Sequence, residues 1–365
     1  MSEVKVQRNS AFELLRIISM LMIVMVHYAS VGIKHVGESD IALTTAWLSG
    51  SIANRWFLCF VSPGGIVGDI LFFMLTGYFL CNVSNDFETK ALKKVKPLVR
   101  QVVFYCCCFI LIGLIMTIQK DRGGVSIIKA SIFPVGRRIW WFFDAYIVLF
   151  LGAGALNRIF AGMNKRAFTK ACISFFIVYF IIAAILNAHW FDLEMAVMGF
   201  MLGYYVRRFI EPCSVEKIQQ QRILWIFLAI FMWLAGVIIM VFSMQVEKGF
   251  LPFNSGKYFN QIIDGMRYVF GTASAFCLFM VATLIKPFYS KFINTLAGCV
   301  FGVYIIHAGP LQNYIWKCVR AEKAFNYVWF PLLAVCSVVG IFAVCTLIDY
   351  IRKLIFTNLI DRNKR

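Results

Sequence analysis

Two residues in the first apolar stretch have the types and the spacing for acid–base and anion-binding chemistry within a membrane. Arg16 and His27 are separated by the ten residues Ile17 to Val26. On a helix, eleven steps turn through about 1100°, about 20° beyond three full turns, so both side chains project from one face, roughly 16 Å apart along the axis. Glu13 lies on the same stripe, one turn nearer the N-terminus. An ionisable group within hydrocarbon costs several kcal/mol unless it faces a partner or a water-filled cavity. Imidazole titrates near neutrality and can take a proton from a hydroxyl; a guanidinium suits phosphate or a polarised carbonyl. Two readings fit this helix alone. Either the stripe lines a polar cavity, or Arg16 snorkels to the cytoplasmic headgroups and His27 sits at the outer interface.

The elements that must position these residues are membrane helices. The chain of 365 residues is 61% hydrophobic and only 15% charged, with mean hydropathy +0.78, against about 45–50% apolar and about 25% charged for a soluble domain. Apolar runs predict an all-α integral membrane protein, a bundle of ten transmembrane helices at about 12–31, 64–82, 99–119, 138–156, 170–187, 193–210, 223–244, 265–285, 293–312 and 329–351, within a single domain covering residues 1–365. Basic residues gather in alternate connections: the N-terminus, Lys90 to Lys96, the Arg158 to Arg166 loop, Arg207 to Arg222, Lys286 to Lys291 and the tail. That alternation predicts both termini to be cytoplasmic, and ten-span parity argues that the first span is kept rather than cleaved as a signal peptide. Residues 32–63 are expected to form the longest external segment, with Trp47 and Trp56 as interfacial anchors and with room for part of it to re-enter the membrane.

Several function classes drop out. The net charge of +18 reads as membrane topology rather than nucleic-acid binding. The twelve cysteines lack CxxC or metal-ligand spacing, so neither a disulfide framework nor a metal is expected. No Walker, dinucleotide, HExxH or GxSxG pattern is present.

Four patches, in order, resemble the membrane acyltransferase-3 family: Arg16 with His27, Leu71-Phe72-Phe73-Met74-Leu75-Thr76-Gly77-Tyr78-Phe79, Ile139-Trp140-Trp141-Phe142, and Gly302-Val303-Tyr304-Ile305-Ile306-His307. Thr76 departs from the family's serine but keeps a hydroxyl. The resemblance implies a membrane-bound O-acyltransferase of bacterial type in the plasma membrane. It would use cytoplasmic acyl-CoA, acetyl-CoA by family frequency, to acylate a hydroxyl of an extracytoplasmic polysaccharide or lipid-linked glycan. His27 would act as base or transient acyl acceptor, and Arg16 would hold the donor's phosphate or thioester carbonyl.

The remaining candidates carry two readings each. His307 and Tyr304 could bind acceptor sugar, or pack. Trp140 and Trp141 could form a sugar platform, or an aromatic belt. Asp69 and Asp144 could orient a histidine, or cap their helices. Lys93, Lys94, Lys96 and Arg100 could dock the phosphates of coenzyme A, or attract anionic lipid. His35 and His189 read as external-loop residues. The rival function is a secondary transporter or exporter of a sugar-containing substrate, with Arg16, His27 and His307 along its pathway. Oligomeric state is not encoded in any of these patterns.

Overall fold

In hydrocarbon each backbone polar group needs a partner inside the protein, and a helix supplies one within its own segment. The computed structural model describes residues 8–33, 51–81, 87–132, 139–182, 191–211, 221–247 and 257–362, among which there are helices and no strands. In chain order the helices are α1 (Ser10–His27), α2 (Ile52–Val61), α3 (Gly64–Leu80), α4 (Phe87–Ile118), α5 (Gly123–Ile132), α6 (Trp141–Ala161), α7 (Lys165–Phe176), α8 (Phe191–Tyr205), α9 (Arg222–Glu247), α10 (Lys257–Thr283), α11 (Lys291–His307), α12 (Gln312–Val319), α13 (Ala321–Ala324) and α14 (Phe330–Arg362). Short π-helical turns extend α1 over Tyr28–Gly32, α7 over Ile177–Ile182 and α8 over Val206–Ile210.

Seven runs among the described residues are long and apolar enough to cross a bilayer: Ser10–Gly32, Ile52–Leu80, Val95–Ile118, Trp141–Ala161, Arg222–Met244, Gly265–Thr283 and Phe330–Phe356. An eighth is a bent pair, α11 with α12, whose arms meet at 93°. The two remaining predicted spans are helical but differ in character. Lys165, Arg166 and Lys170 crowd the start of α7, and Arg207 and Arg208 occupy the π-turn ending α8. One loop reading is corrected. The basic stretch Lys90 to Lys96 belongs to α4, a 32-residue helix that runs through Pro97. Residues 52–61, within the external segment expected to have room for re-entry, form α2 and join α3 in one 29-residue apolar run. Trp47, His35 and His189 lie outside the described residues.

The chain gathers into two compact units, one from Met1–Ser49, Leu98–Trp140 and Pro287–Arg365, the other from Gly50–Pro97 and Trp141–Lys286. In the first, α1 and α11 run side by side in the same direction. At their starting ends Ser10 N–H donates to the Phe288 carbonyl (2.8 Å), Ser10 Oγ donates to Asn294 Oδ1 (2.9 Å), and Ser290 N–H donates to Ser10 Oγ (2.8 Å). Asn9 and Ser290 cap the two helices, each accepting from a first-turn N–H, which satisfies donors that no helix can pair internally. Helix α14 packs against both.

In the second unit, α3 and α8 meet almost backbone to backbone. A Cβ on Gly77 would fall on the Phe200 carbonyl, one on Gly203 on the Met74 carbonyl, and one on Gly199 on Phe73 Cβ. This is close packing through small residues, the arrangement by which apolar helices associate where lipid leaves no hydrophobic drive between them. Helix α9 turns Phe227, Ile230, Phe231, Leu234 and Ile238 outward, all of them exposed. Spacings of three and four place these side chains on one stripe, which suits lipid and not water.

Candidate functional site

The site begins at matching ends of two helices. His27 is the last residue of α1 and His307 the last of α11. Helix α11 stops where it does because Gly309 and Pro310 follow, and a proline cannot continue the ladder. The last carbonyls of a helix lack intrahelical partners; that of Ile305 accepts from Trp140 Nε1 at 3.2 Å. A Cβ on Gly309 would meet that carbonyl and crowd Trp140 and Phe109 at 3.3 and 3.4 Å, so the glycine lets the chain turn sharply beside the indole.

The two rings meet at 3.0 Å, His27 Nδ1 to His307 Nε2, with centroids 5.1 Å apart. His307 Nδ1 lies 2.7 Å from the Val303 carbonyl. A carbonyl oxygen only accepts, so His307 Nδ1 carries a proton and donates it. In a neutral imidazole the other nitrogen is then an acceptor, so His307 Nε2 receives a hydrogen from His27 Nδ1. The same rule leaves a lone pair on His27 Nε2. The backbone of α11 thereby sets two tautomers in series. His307 is fully buried, whereas His27 is half-buried. The basic nitrogen therefore belongs to the less buried of the two residues.

Aromatic packing holds this end of α1 in place. Tyr28, next to His27, is fully buried, with its ring 6.1 Å from Trp316 of α12 and 5.9 Å from Phe330 of α14. Gly32 takes the Trp316 ring against its backbone. Tyr304, one turn below His307, faces its ring edge-on at 6.4 Å.

The other candidates are distributed as follows. Arg16 Nη1 donates to Glu13 Oε1 at 2.5 Å, and Glu13 is buried, so the cation on the stripe is neutralised by the carboxylate one turn away. The unbroken α1 preserves the three-turn interval between Arg16 and His27. Asp144 and Trp141 lie in the first turn of α6, half-buried. Asp69 is not a cap: α3 begins at Gly64 after Pro63, placing Asp69 in the second turn, half-buried. These three belong to the second unit. Arg100 and Lys96 are exposed on α4, whereas the side chains of Lys93 and Lys94 lie outside the described residues. Tyr78 OH donates to Glu211 Oε1 (2.9 Å) and accepts from Arg207 (3.3 Å), and Thr76 bonds back to the Phe72 carbonyl. The Thr76-Gly77-Tyr78 patch thus ties helices of the second unit together.

Sequence reasoning read Trp140 as a sugar-platform or belt residue alongside Trp141, and passed over Asp349. Trp140, rather than its neighbour Trp141, is the fully buried indole that bonds α11. Asp349, fully buried in α14, binds Gln101, Tyr105 and Arg352. A carboxylate inside an apolar run was a legible signal by the same intramembrane-cost rule that singled out Arg16. Among the described residues no group of three His, Cys, Asp or Glu is placed to hold a metal ion, and the described cysteines are unpaired thiols.

Residues 9–350 match the acyltransferase domain that defines the acyltransferase-3 family, a stretch that takes in both units and both histidines. No curated protein and no solved structure matches the chain.

Proposed function

The chain belongs to the membrane acyltransferase-3 family, and from that premise we propose that it transfers an acyl group, acetyl in the first instance, from cytoplasmic acyl-CoA to a hydroxyl of an extracytoplasmic glycan. The observation that carries this reading is the 3.0 Å contact between His27 and His307, with His307 held by the Val303 carbonyl. It leaves an unprotonated Nε2 on the less buried residue of the pair. A sugar hydroxyl is a poor nucleophile at neutral pH and needs such a base.

In direct transfer, His27 Nε2 takes the hydroxyl proton as the sugar oxygen attacks the thioester carbonyl. The C–O bond forms, the C–S bond breaks, and the proton passes from the imidazolium to the departing thiolate, giving ester and free coenzyme A. During this step His307 Nε2 accepts from His27 Nδ1–H and favours the imidazolium, while keeping Nε2 aimed at the substrate. The same lone pair would serve an acyl-imidazole intermediate, which rapid acid quenching with labelled donor distinguishes from direct transfer. Arg16, paired with Glu13 about three turns below, is assigned to the donor's phosphates or carbonyl, and Lys96 and Arg100 to donor docking.

The topology suits a donor below and an acceptor above. Parallel α1 and α11 require an odd number of crossings between them. The five long apolar runs from Ile52–Leu80 to Gly265–Thr283 satisfy this, and so do those five plus both α7 and α8. Ten spans with cytoplasmic termini in the plasma membrane of a bacterial cell is the arrangement we adopt, since basic residues then fall in alternate connections.

The test is transfer from labelled acetyl-CoA in membranes containing wild-type protein or His27→Ala. Loss of transfer with normal membrane insertion is expected. Wild-type-like transfer by His27→Ala would sink the reading, as would solute flux in proteoliposomes lacking any acyl donor.

A further inference from the structure

A second polar cluster in the first unit lies below the histidines and is not used by the chemistry above. Asp349 sits in the apolar helix α14 and is fully buried. Its Oδ1 accepts from Gln101 Nε2 (2.9 Å) and Tyr105 OH (2.8 Å) of α4, and from Arg352 Nε (2.8 Å). Lys353 Nζ lies 3.7 Å from Oδ2. A buried carboxylate needs its charge offset; here three donors meet Oδ1 and the cations of Arg352 and Lys353 offset the charge, while Oδ2 has no hydrogen-bond donor among the described residues.

This cluster also holds α11. Gly302 rests directly on the Asp349 carboxylate; a Cβ at that position would overlap Cβ, Cγ and Oδ1 of Asp349. Lys353 Nζ donates to the Gly298 carbonyl of α11 and lies 3.6 Å from the fully buried Cys299 Sγ. Both contacts fall within the stretch 298–302. The next residue is Val303, whose carbonyl orients His307, and His307 stands about 7.5 Å above Gly302 along the same helix. Asp349 and Lys353 of α14 therefore grip α11 immediately before Val303, alongside the contacts α11 makes with α1 and Trp140.

We propose that Asp349 is a positioning residue: by gripping α11 at Gly302, and with Lys353 at Gly298, it places the Val303 carbonyl and hence the His27–His307 pair. This rests on the reading of that pair as the transfer site. Because the cluster touches no reacting atom, its loss misplaces the base without removing it. An error of about 1 Å in such a group can cost on the order of a hundred-fold in rate.

The experiment uses the full chain in membranes with two readouts: acetyl transfer kinetics, and maleimide labelling of Cys299 resolved by peptide mass spectrometry. Asp349→Ala is expected to lower kcat by roughly ten- to hundred-fold, leave donor KM within about two-fold, and speed Cys299 labelling as Lys353 lets go. Asp349→Asn, which keeps an acceptor oxygen for Gln101 and Tyr105, should recover part of kcat. Tyr105→Phe removes one hydrogen bond and almost no volume, and is the probe should Asp349→Ala prevent assembly; it should lower kcat a few-fold. Unchanged kcat in Tyr105→Phe and Asp349→Asn, with Cys299 as protected as in wild type, overturns the proposal. A raised donor KM at constant kcat overturns it too, by making the cluster a donor site. If His27→Ala transfers normally the histidine reading fails by itself, and Cys299 labelling still decides whether Asp349 holds α11.

Discussion

The α1–α11 seam of the first unit and the α3–α8 seam of the second both join helices inside the membrane, by opposite means. The α3–α8 seam removes side chains: Gly77, Gly199 and Gly203 let the helices touch through Phe200, Met74 and Phe73, and Tyr78 and Arg207 bond to Glu211 beyond the glycines. The α1–α11 seam keeps polar side chains and pairs them at both ends, Ser10 with Asn294 at one and His27 with His307 at the other. Backbone-to-backbone packing gives stiffness but leaves no room for a substrate. A seam of paired polar groups costs more to bury and is tolerated where those groups have work to do. The contrast fits the proposal that the first seam carries the chemistry, with the second supplying cohesion.

Substitutions should separate the two. The largest effect is expected from His27→Ala, which removes the base and should lower transfer by about 10²–10⁴-fold, with thermal stability in detergent near that of wild type. Next comes Gly203→Val, which drives a branched side chain into the Met74 carbonyl. Overpacking of this kind costs roughly 3 kcal/mol or more, read as a lowered unfolding midpoint or loss of monodisperse protein. Activity per folded molecule should change little; a selective loss of activity at full stability would erase the distinction between the seams. His307→Gln should cost about ten- to hundred-fold in kcat, because the reacting nitrogen remains but its tautomer is no longer imposed. Arg16→Ala should raise donor KM by about ten-fold, in line with loss of a charge-assisted contact of roughly 1.5 kcal/mol, with a smaller effect on kcat. The smallest change is expected from Tyr78→Phe, which gives up its bonds to Glu211 and Arg207, for about 1 kcal/mol of stability and no loss of transfer.

Much of the fold was legible in the sequence because its determinants are local. A run of apolar residues specifies a membrane helix whatever surrounds it, and the interval from Arg16 to His27 follows from helix geometry alone. Where the reading failed, a local pattern was overridden. The Lys90 to Lys96 stretch looked like a basic loop, but helix formation continues through charge at the membrane edge and through Pro97. The segment 32–63 reads as external with room to re-enter the membrane; there α2 forms over Ile52–Val61 and leads directly into α3.

By itself, then, the sequence determined that the chain is an all-helical membrane protein, and that an arginine and a histidine share a face of its first apolar helix. Four motif patches also pointed to the family that residues 9–350 then matched. Only the tertiary structure brought His27 to His307 across 280 positions of chain, chose Trp140 over Trp141 as the indole that bonds α11, and seated Asp349 beneath Gly302. Hydrophobicity and helical period are properties of neighbouring residues and can be read in order. Which two helices run side by side, and which nitrogen of a histidine keeps its proton, depend on atoms supplied by distant segments, so they exist only once the chain is packed.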